Sequence, residues 1–400
     1  MKKIMLIHHF GGIGGAGVSL IDIVKSLKES YDVTVLCPVE PNNMINLLES
    51  MGVNVISIPY SSYILDFYSG GGRFFFSRKA CKLYLNRKKA KPLFEELIDN
   101  FEGDVVAINS MTLSWLGPVL KKKQKKTICF HRETFLPNYF LGTKLIKHYL
   151  RKYFDRVVFI SKYDCSSFEN YPKEKKVVIY DRVDSKKFFE SKLIYSKGEK
   201  KYILFLGGFS KLKGAKVLVK SLKYLKESKF DIKLIFVGNK EAKKSQNKLE
   251  KIKRLFIKNV ERDVNKIIKQ NKLENEIIFR NITSSPEEYF KEASIIVFPS
   301  TLPHQARPVY EAGFSKIPII ISNFKNTEEF IKNNVTGFTF KKNDPRDLAA
   351  VIEKVLMMPK DKLNKILENN LINSNNKHEY ETLSSELIAL IENIEGEKNK

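Results

Sequence analysis

Residues 2–27 read KKIMLIHHFGGIGGAGVSLIDIVKSL, and residues 201–225 read KYILFLGGFSKLKGAKVLVKSLKYL. In the first stretch Ile4–Ile7 is a short apolar run that ends in His8-His9. A loop, Phe10 to Gly17, carries five glycines, and Leu20, Ile23, Val24 and Leu27 then recur at helical spacing. A strand, a glycine loop and an amphipathic helix follow one another. The second stretch repeats the order: Tyr202–Leu206 as strand, Gly207-Gly208 as its exit, Ala215–Glu227 as helix. Working outward, further short apolar runs stand at Asp32–Cys37, Val53–Pro59, Val105–Asn109, Thr127–His131, Val157–Ser161 and Lys176–Tyr180. After the second stretch they stand at Lys233–Val237, Glu276–Phe279, Ile295–Pro299 and Ile319–Ser322. Strands of this length separated by helices make βαβ units and parallel sheets. The expectation is an α/β chain of two similar, doubly wound domains facing each other across a cleft.

The expected division is residues 1–185, a polar linker at 186–200, a second domain over 201–377, and a C-terminal helix within 378–400 packed back on the first domain. A long Lys/Glu helix is expected over roughly 241–271, and an Asn/Lys-rich break at 369–377. The 400 residues suit two domains and need no disulfide or metal staple. Cys37, Cys81, Cys129 and Cys165 are scattered, which indicates neither a zinc site nor a disulfide framework. The N-terminal apolar run is too short for a signal-peptide core, and no apolar stretch reaches the ~18 residues of a spanning helix.

Lys and Arg number 70 against 45 Asp and Glu, a net charge of +25, so an anionic partner is expected. The excess is uneven. Residues 51–150 hold 16 basic and 7 acidic residues, residues 201–250 hold 13 and 4, and the last fifty hold 7 and 9. A solvated Lys-rich surface and a functional anionic-ligand surface explain this equally well.

In open α/β sheets ligands lie beyond the carboxyl ends of the strands. Gly12, Gly14 and Gly17 satisfy GxGxxG literally, with Glu40 near the place of a ribose-binding acid, so dinucleotide binding stays open beside a plain turn. Lys213, in a Lys-Gly pair that opens a helix, can neutralise phosphate oxygens or be one more surface lysine. His304, Gln305 and Arg307 lie in a Pro-bounded loop before Glu311. That carboxylate can accept two hydroxyl hydrogens from a sugar diol, or simply favour a helix start. His131 ends a strand, where a cleft-facing role and a core-edge role are both open. Residues 63–92 are aromatic and basic. They suit a buried helix pair with a Lys-rich outer face, or docking onto anionic lipid.

In their order and spacing these segments resemble glycosyltransferase family 4, retaining enzymes of the GT-B fold. Gly14-Gly15 resembles the family's early glycine pair, Val158–Lys162 its "vSk", and Val178–Asp184 its "viyNGvD" with Asp181-Arg182 in place of Asn-Gly. Leu206–Gly214 resembles "vGRxxxxKG", and Phe236–Gly238 resembles "vGxG". Pro299-Ser300, Glu311-Ala312, Pro318–Ile320 and Thr336–Phe338 resemble "PS", "EA", "PVI" and "tGf".

The resemblance implies a nucleotide-sugar donor, UDP- or GDP-linked, in the C-terminal domain and a glycan or lipid-linked acceptor in the N-terminal domain. It implies catalytic roles for His131, Lys213 and Arg307. Donor contacts fall to Gly14, Gly15, Gly207, Gly208, Lys213, Gly238, Ser300, His304, Arg307 and Glu311. His9, Arg132 and Glu133 fall on the acceptor side. Two positions depart from the pattern: Gly208 replaces the family's Arg and Pro303 the first of its paired Glu, and Arg307 is close enough in sequence to supply the lost charge. No metal and no cofactor are expected, since Lys and Arg can hold the diphosphate. The expected setting is cytoplasmic, peripheral on an anionic inner membrane face, in cell-surface polysaccharide or lipopolysaccharide synthesis. Two other classes remain. A catalytically silent relative would act as a partner subunit. A basic nucleic-acid binder would need a binding motif, and none is present.

Overall fold

The computed structural model describes residues 1–60, 63–65, 78–135, 140–188, 200–238, 260–283, 285–303 and 307–396. The chain divides into two compact units, Met1–Arg182 with Tyr380–Lys400, and Val183–Glu379.

The first unit is a seven-stranded sheet: β1 (Lys2–Ile7), β2 (Tyr31–Pro38), β3 (Asn54–Ile58), β4 (Val105–Ile108), β5 (Lys126–His131), β6 (Arg156–Phe159) and β7 (Lys176–Val178). The order is β3-β2-β1-β4-β5-β6-β7 and every neighbouring pair is parallel. Its helices are α1 (Gly15–Leu27), α2 (Asn43–Ser50), α3 (Arg78–Asp99), α4 (Gly117–Lys122), α5 (Phe140–Tyr153) and α6 (Lys162–Ser166). The alternation of strand side chains decides which helix meets which face. Ile4 and Leu6 join Leu20, Val24 and Leu48 of α1 and α2. Met5 and Ile7 point the other way, to Phe94 of α3, Leu120 of α4 and Leu150 of α5. Each such leucine, fully buried, contributes roughly 1.5–3 kcal/mol.

The second unit repeats the plan with β8 (Lys201–Phe205), β9 (Ile232–Val237), β10 (Ile277–Arg280), β11 (Ile295–Phe298), β12 (Ile319–Ser322) and β13 (Phe338–Phe340), in the order β10-β9-β8-β11-β12-β13. Its helices are α7 (Ala215–Leu225), α8 (Val260–Gln270), α9 (Glu287–Lys291), α10 (Arg307–Phe314), α11 (Pro345–Leu356) and α12 (Lys360–His378). The last helix, α13 (Leu383–Gly396), belongs to the first unit, where Leu387, Leu390 and Ile391 join the α1 face of the core.

Several boundaries differ from the sequence expectation. The first unit ends at Arg182, and Ser185–Lys187, expected in part as linker, is a 3-10 turn of the second unit. Phe188 follows it and packs edge-on against Phe290, with ring centroids 5.2 Å apart. The rest of the expected linker, 189–199, and most of the expected helix over 241–271 lie outside the described residues. The expected break at 369–377 is the C-terminal half of α12. Its polar composition is misleading, because Leu363, Ile366, Leu367, Asn370, Ser374 and His378 fall on one buried stripe. Gly313 of α10 lets that stripe come close: a Cβ there would stand 2.1 Å from the Ser374 hydroxyl. Helices α4, α5, α6 and α9 and strand β13 have no counterpart in the sequence expectation.

In both sheets the strand order reverses beside the first strand of the unit, between β1 and β4 and between β8 and β11. Such switch points open a crevice at the strands' carboxyl ends. Both glycine loops leave from there.

Candidate active site

In the second unit three loops meet at the switch point. Gly208 (φ +56°) and Gly238 (φ +115°) take backbone conformations that an L side chain rarely adopts, and they stand back to back. A Cβ on Gly238 would lie 2.6 Å from the Gly208 Cα. The Gly208 N–H donates to the Val237 carbonyl at 3.0 Å, which joins the loops after β8 and β9. Gly207 lies over the Phe205 ring, where a Cβ would meet ring carbons at 2.0 Å.

Gly214 is the left-handed cap of α7 at φ +79°, and a Cβ there would overlap the Pro299 carbonyl oxygen at 1.7 Å. The turn is also tied to the loop after β11, because the Thr301 N–H donates to the Leu212 carbonyl at 2.8 Å. Lys213 therefore sits on a turn held from both sides. Its backbone N–H donates to the Ser210 hydroxyl at 3.2 Å. Burial pulls its ammonium below the usual lysine range, and among the described residues no carboxylate pairs with it. No side chain caps α7, and its first turn holds no acid.

Ser300 is buried beside Phe298, Tyr310, Ser322, Asn326 and Thr327, which line a small cavity between the ends of β11 and β12 and helix α10. Arg307 and Glu311 occupy the first turns of α10, where Arg307 Nε donates to Glu311 Oε1 at 3.3 Å. Glu311 is not at the open helix start that the sequence suggested but buried in the second turn. His304 lies outside the described residues.

In the first unit Gly14 and Gly15 open α1, exposed, with nothing within 4 Å of a Cβ placed on either. Gly12 and Gly17, the outer members of the GxGxxG pattern, are packing glycines instead. A Cβ on them would strike the Phe10 ring at 2.6 Å and the Met44 methyl at 2.7 Å.

Behind this loop is a polar network. Asn109, just past β4, lies 3.1 Å from His8 Nδ1 and donates to the Ala16 carbonyl at 2.8 Å. Arg132, just past β5, donates through Nε to Asn109 Oδ1 at 3.1 Å and through a terminal nitrogen to Asp181 at 2.6 Å. Ser19 of α1 donates to the same Asp181 oxygen at 2.8 Å. Arg182 pairs with Glu386 of α13 at 2.5 Å. The Asp181-Arg182 pair, a departure from the family pattern, thus ties the end of the sheet to α1, to β5 and to the C-terminal helix. Of these residues Arg132 alone has an assigned role in the sequence expectations. The available signal was position, a polar residue directly after an apolar strand.

Three of the proposed side chains are placed differently from expectation. His131 is wholly buried among Phe135, Phe159 and Phe168, with ring centroids 5.1–5.5 Å away. Among the described residues neither ring nitrogen has a hydrogen-bond partner, and burial drives its pKa down to about 3, so the ring is neutral. Glu133 is turned inward: Ser110 donates to one oxygen and the Met111 N–H to the other at 3.2 Å. Burial raises its pKa to about 7. His9 packs edge-on against His8 at 4.8 Å, and burial lowers its pKa to about 4. Of the residues assigned to the acceptor, Arg132 is the one that enters the polar network, and it does so already bound to Asp181.

Comparison with known proteins agrees with this architecture. Residues 185–374 match the family model described as "Glycosyl transferases group 1". An uncharacterised glycosyltransferase of Methanocaldococcus jannaschii is 24% identical over 217 residues, 54% of this chain and 53% of that protein. The capsular polysaccharide biosynthesis glycosyltransferase CapM of Staphylococcus aureus is 24% identical over 198 residues, 47% of this chain and 48% of that protein. The matches thus span about half the length of these relatives. Among solved structures, Anabaena HepE in complex with UDP and glucose superposes with a TM-score of 0.75 at 17% identity, covering 98% of this chain and all of that one. The fold is GT-B.

Proposed function

We propose that this protein is a retaining glycosyltransferase of family 4, moving a sugar from a UDP- or GDP-linked donor to a glycan or lipid-linked acceptor in cell-surface polysaccharide synthesis. The observation that carries it is Lys213, a half-buried ammonium with no carboxylate partner among the described residues, at the uncapped start of α7. A diphosphate supplies the two negative charges that such a site lacks. The similarity to CapM and to the UDP-bound HepE fold supports the pathway and the nucleotide.

In the proposed mechanism the donor diphosphate lies on the 207–214 turn. As the glycosidic bond breaks, negative charge grows on the leaving phosphate, and Lys213 and the positive end of the α7 dipole stabilise it. The acceptor hydroxyl attacks from the same face and passes its proton to a leaving-phosphate oxygen, so no protein carboxylate has to act as base and no metal is called for. Glu311 holds the ribose diol. Arg307 contributes charge toward the diphosphate that an arginine at 208 gives in the family. Peripheral attachment to the cytoplasmic face of a membrane belongs to the same proposal.

A thermal-shift screen with UDP, GDP, ADP, CMP and NAD tests it. UDP or GDP is expected to raise the Tm by linkage, and a rise with NAD alone overturns it. A screen of sugar nucleotides for release of free nucleotide then separates an enzyme from a silent relative. That alternative draws on Gly208 and Pro303, where the family's Arg and Glu are absent.

A further inference from the structure

We propose that the first unit docks on an anionic bilayer through one helix layer, α3–α4–α5, and that this layer and not the general lysine excess orients the protein. The inference rests on the lipid-linked-acceptor reading for its choice of partner.

The two layers covering the first sheet differ in sign. Helix α5 carries Lys144, Lys147, Arg151 and Lys152 and no acid along its whole length. Helix α4 ends in Lys121-Lys122. Over its described side chains α3 has Lys82, Arg87, Lys88, Lys89 and Lys91, with its three acids gathered in its last five residues. The layer on the opposite face, α1, α2 and α13, holds Asp22, Glu49, Glu386, Glu392 and Glu395 against Lys25. A domain with this charge separation meets a negative surface one way round.

Apolar groups point out on the same layer. Leu141, Lys144, Leu145, His148, Arg151 and Lys152 of α5 are all exposed, and their spacing puts them on one stripe. Leu141 is 65% exposed and Leu145 37%. On α3, Tyr84 is 59% and Leu85 53% exposed, between the basic positions 82 and 88. Leucines add nothing to contact with a phosphodiester chain, whereas at a bilayer they leave water for the acyl boundary. Basic residues with apolar ones between them therefore favour lipid over nucleic acid.

The test is flotation of the full chain with phosphatidylcholine vesicles, with and without phosphatidylglycerol. Binding is expected only with the acidic lipid and is expected to fade with salt. R151E/K152E should lower it about tenfold or more, L141S/L145S should lower it too, and K25E on the other layer should leave it unchanged. Equal binding to neutral vesicles, wild-type binding by R151E/K152E, or an equal loss in K25E overturns the proposal. Random-sequence DNA that displaces the vesicles at physiological salt also overturns it, in favour of nucleic acid. The Tm rise with nucleotide is measured on the same preparations. If R151E/K152E keeps that rise while losing the vesicles, the docking face and the donor site are separate and the proposal is supported. No rise in any variant, with vesicle binding intact, sinks the transferase reading and leaves the face standing.

Discussion

Lys213 is half-buried and His131 wholly buried, with opposite consequences. An unpartnered ammonium is costly to bury, and the cost is reduced when a ligand anion arrives. Lys213→Met is therefore expected to leave the Tm of the nucleotide-free protein unchanged or higher. The same change should abolish the rise with UDP or GDP and lower turnover about 10²–10³-fold. Differential scanning fluorimetry and a nucleotide-release assay check the two halves, and an undiminished nucleotide response would remove Lys213 from the site.

His131 bears on stability. Its folded pKa, about 3, lies below the unfolded value of 6.5, so the folded state binds fewer protons. Stability from this residue is complete above pH 6.5 and is lost as the pH falls toward 3. His9, at about 4, acts in the same direction. Glu133, raised to about 7, acts oppositely, its contribution falling as the pH rises from 4.5 through 7. His131→Phe is expected to remove roughly 2 kcal/mol of the stability loss between pH 7 and pH 5, read by urea unfolding at both values. An unchanged difference would show that the ring does not stay neutral in its aromatic surroundings.

At the scale of elements, the ends of β4 and β5 are joined by a hydrogen bond, and the end of β5 and the segment after β7 by an ion pair. Arg132 and Asp181 are both largely out of solvent and stand 2.6 Å apart. Removing one partner strands the other. Asp181→Asn should cost about 3–5 kcal/mol by analogy with other broken buried pairs, and the added Arg132→Met should recover part of that loss. A double-mutant cycle by denaturant unfolding measures the coupling, and additive losses would mean that the pair is not a unit. The α7 cap belongs to the same scale. Gly214 is fixed by its left-handed φ and by the Pro299 carbonyl, so the turn carrying Lys213 cannot take a side chain there without moving β11's exit loop.

For the whole molecule the C-terminal segment matters most. Residues from Tyr380 onward are far from the first unit in sequence but complete its core. Leu387, Leu390 and Ile391 cover Leu20 and Val24, the Ser384 hydroxyl donates to the Ser26 carbonyl at 2.7 Å, and Glu386 pairs with Arg182. A chain ending at Glu379 should expose that face and melt earlier in the first unit, with nucleotide still raising the Tm of the second. Calorimetry with and without UDP distinguishes this from a global loss, which would mean that the units do not unfold separately.

Amino-acid order alone determined the repeated strand–glycine–helix plan, nearly all the strands, and the glycine loops that leave β1 and β8. Those signals are local: a period of two or of 3.6, and glycine where a strand gives way to a helix. Ile4–Ile7 and Tyr202–Leu206 could be read as strands because each carries its own pattern. The tertiary structure decided what local pattern does not encode. It turned the polar 369–377 segment into a helix, because Asn370 and Ser374 meet Gly313, and it set Arg132 against Asp181 across 49 residues. It placed His131 among three phenylalanines, two of them from β6 and the segment after α6, and left Lys213 without a carboxylate among the described residues. Burial and pairing depend on which distant side chains arrive at one place, and only the packed sheet fixes that.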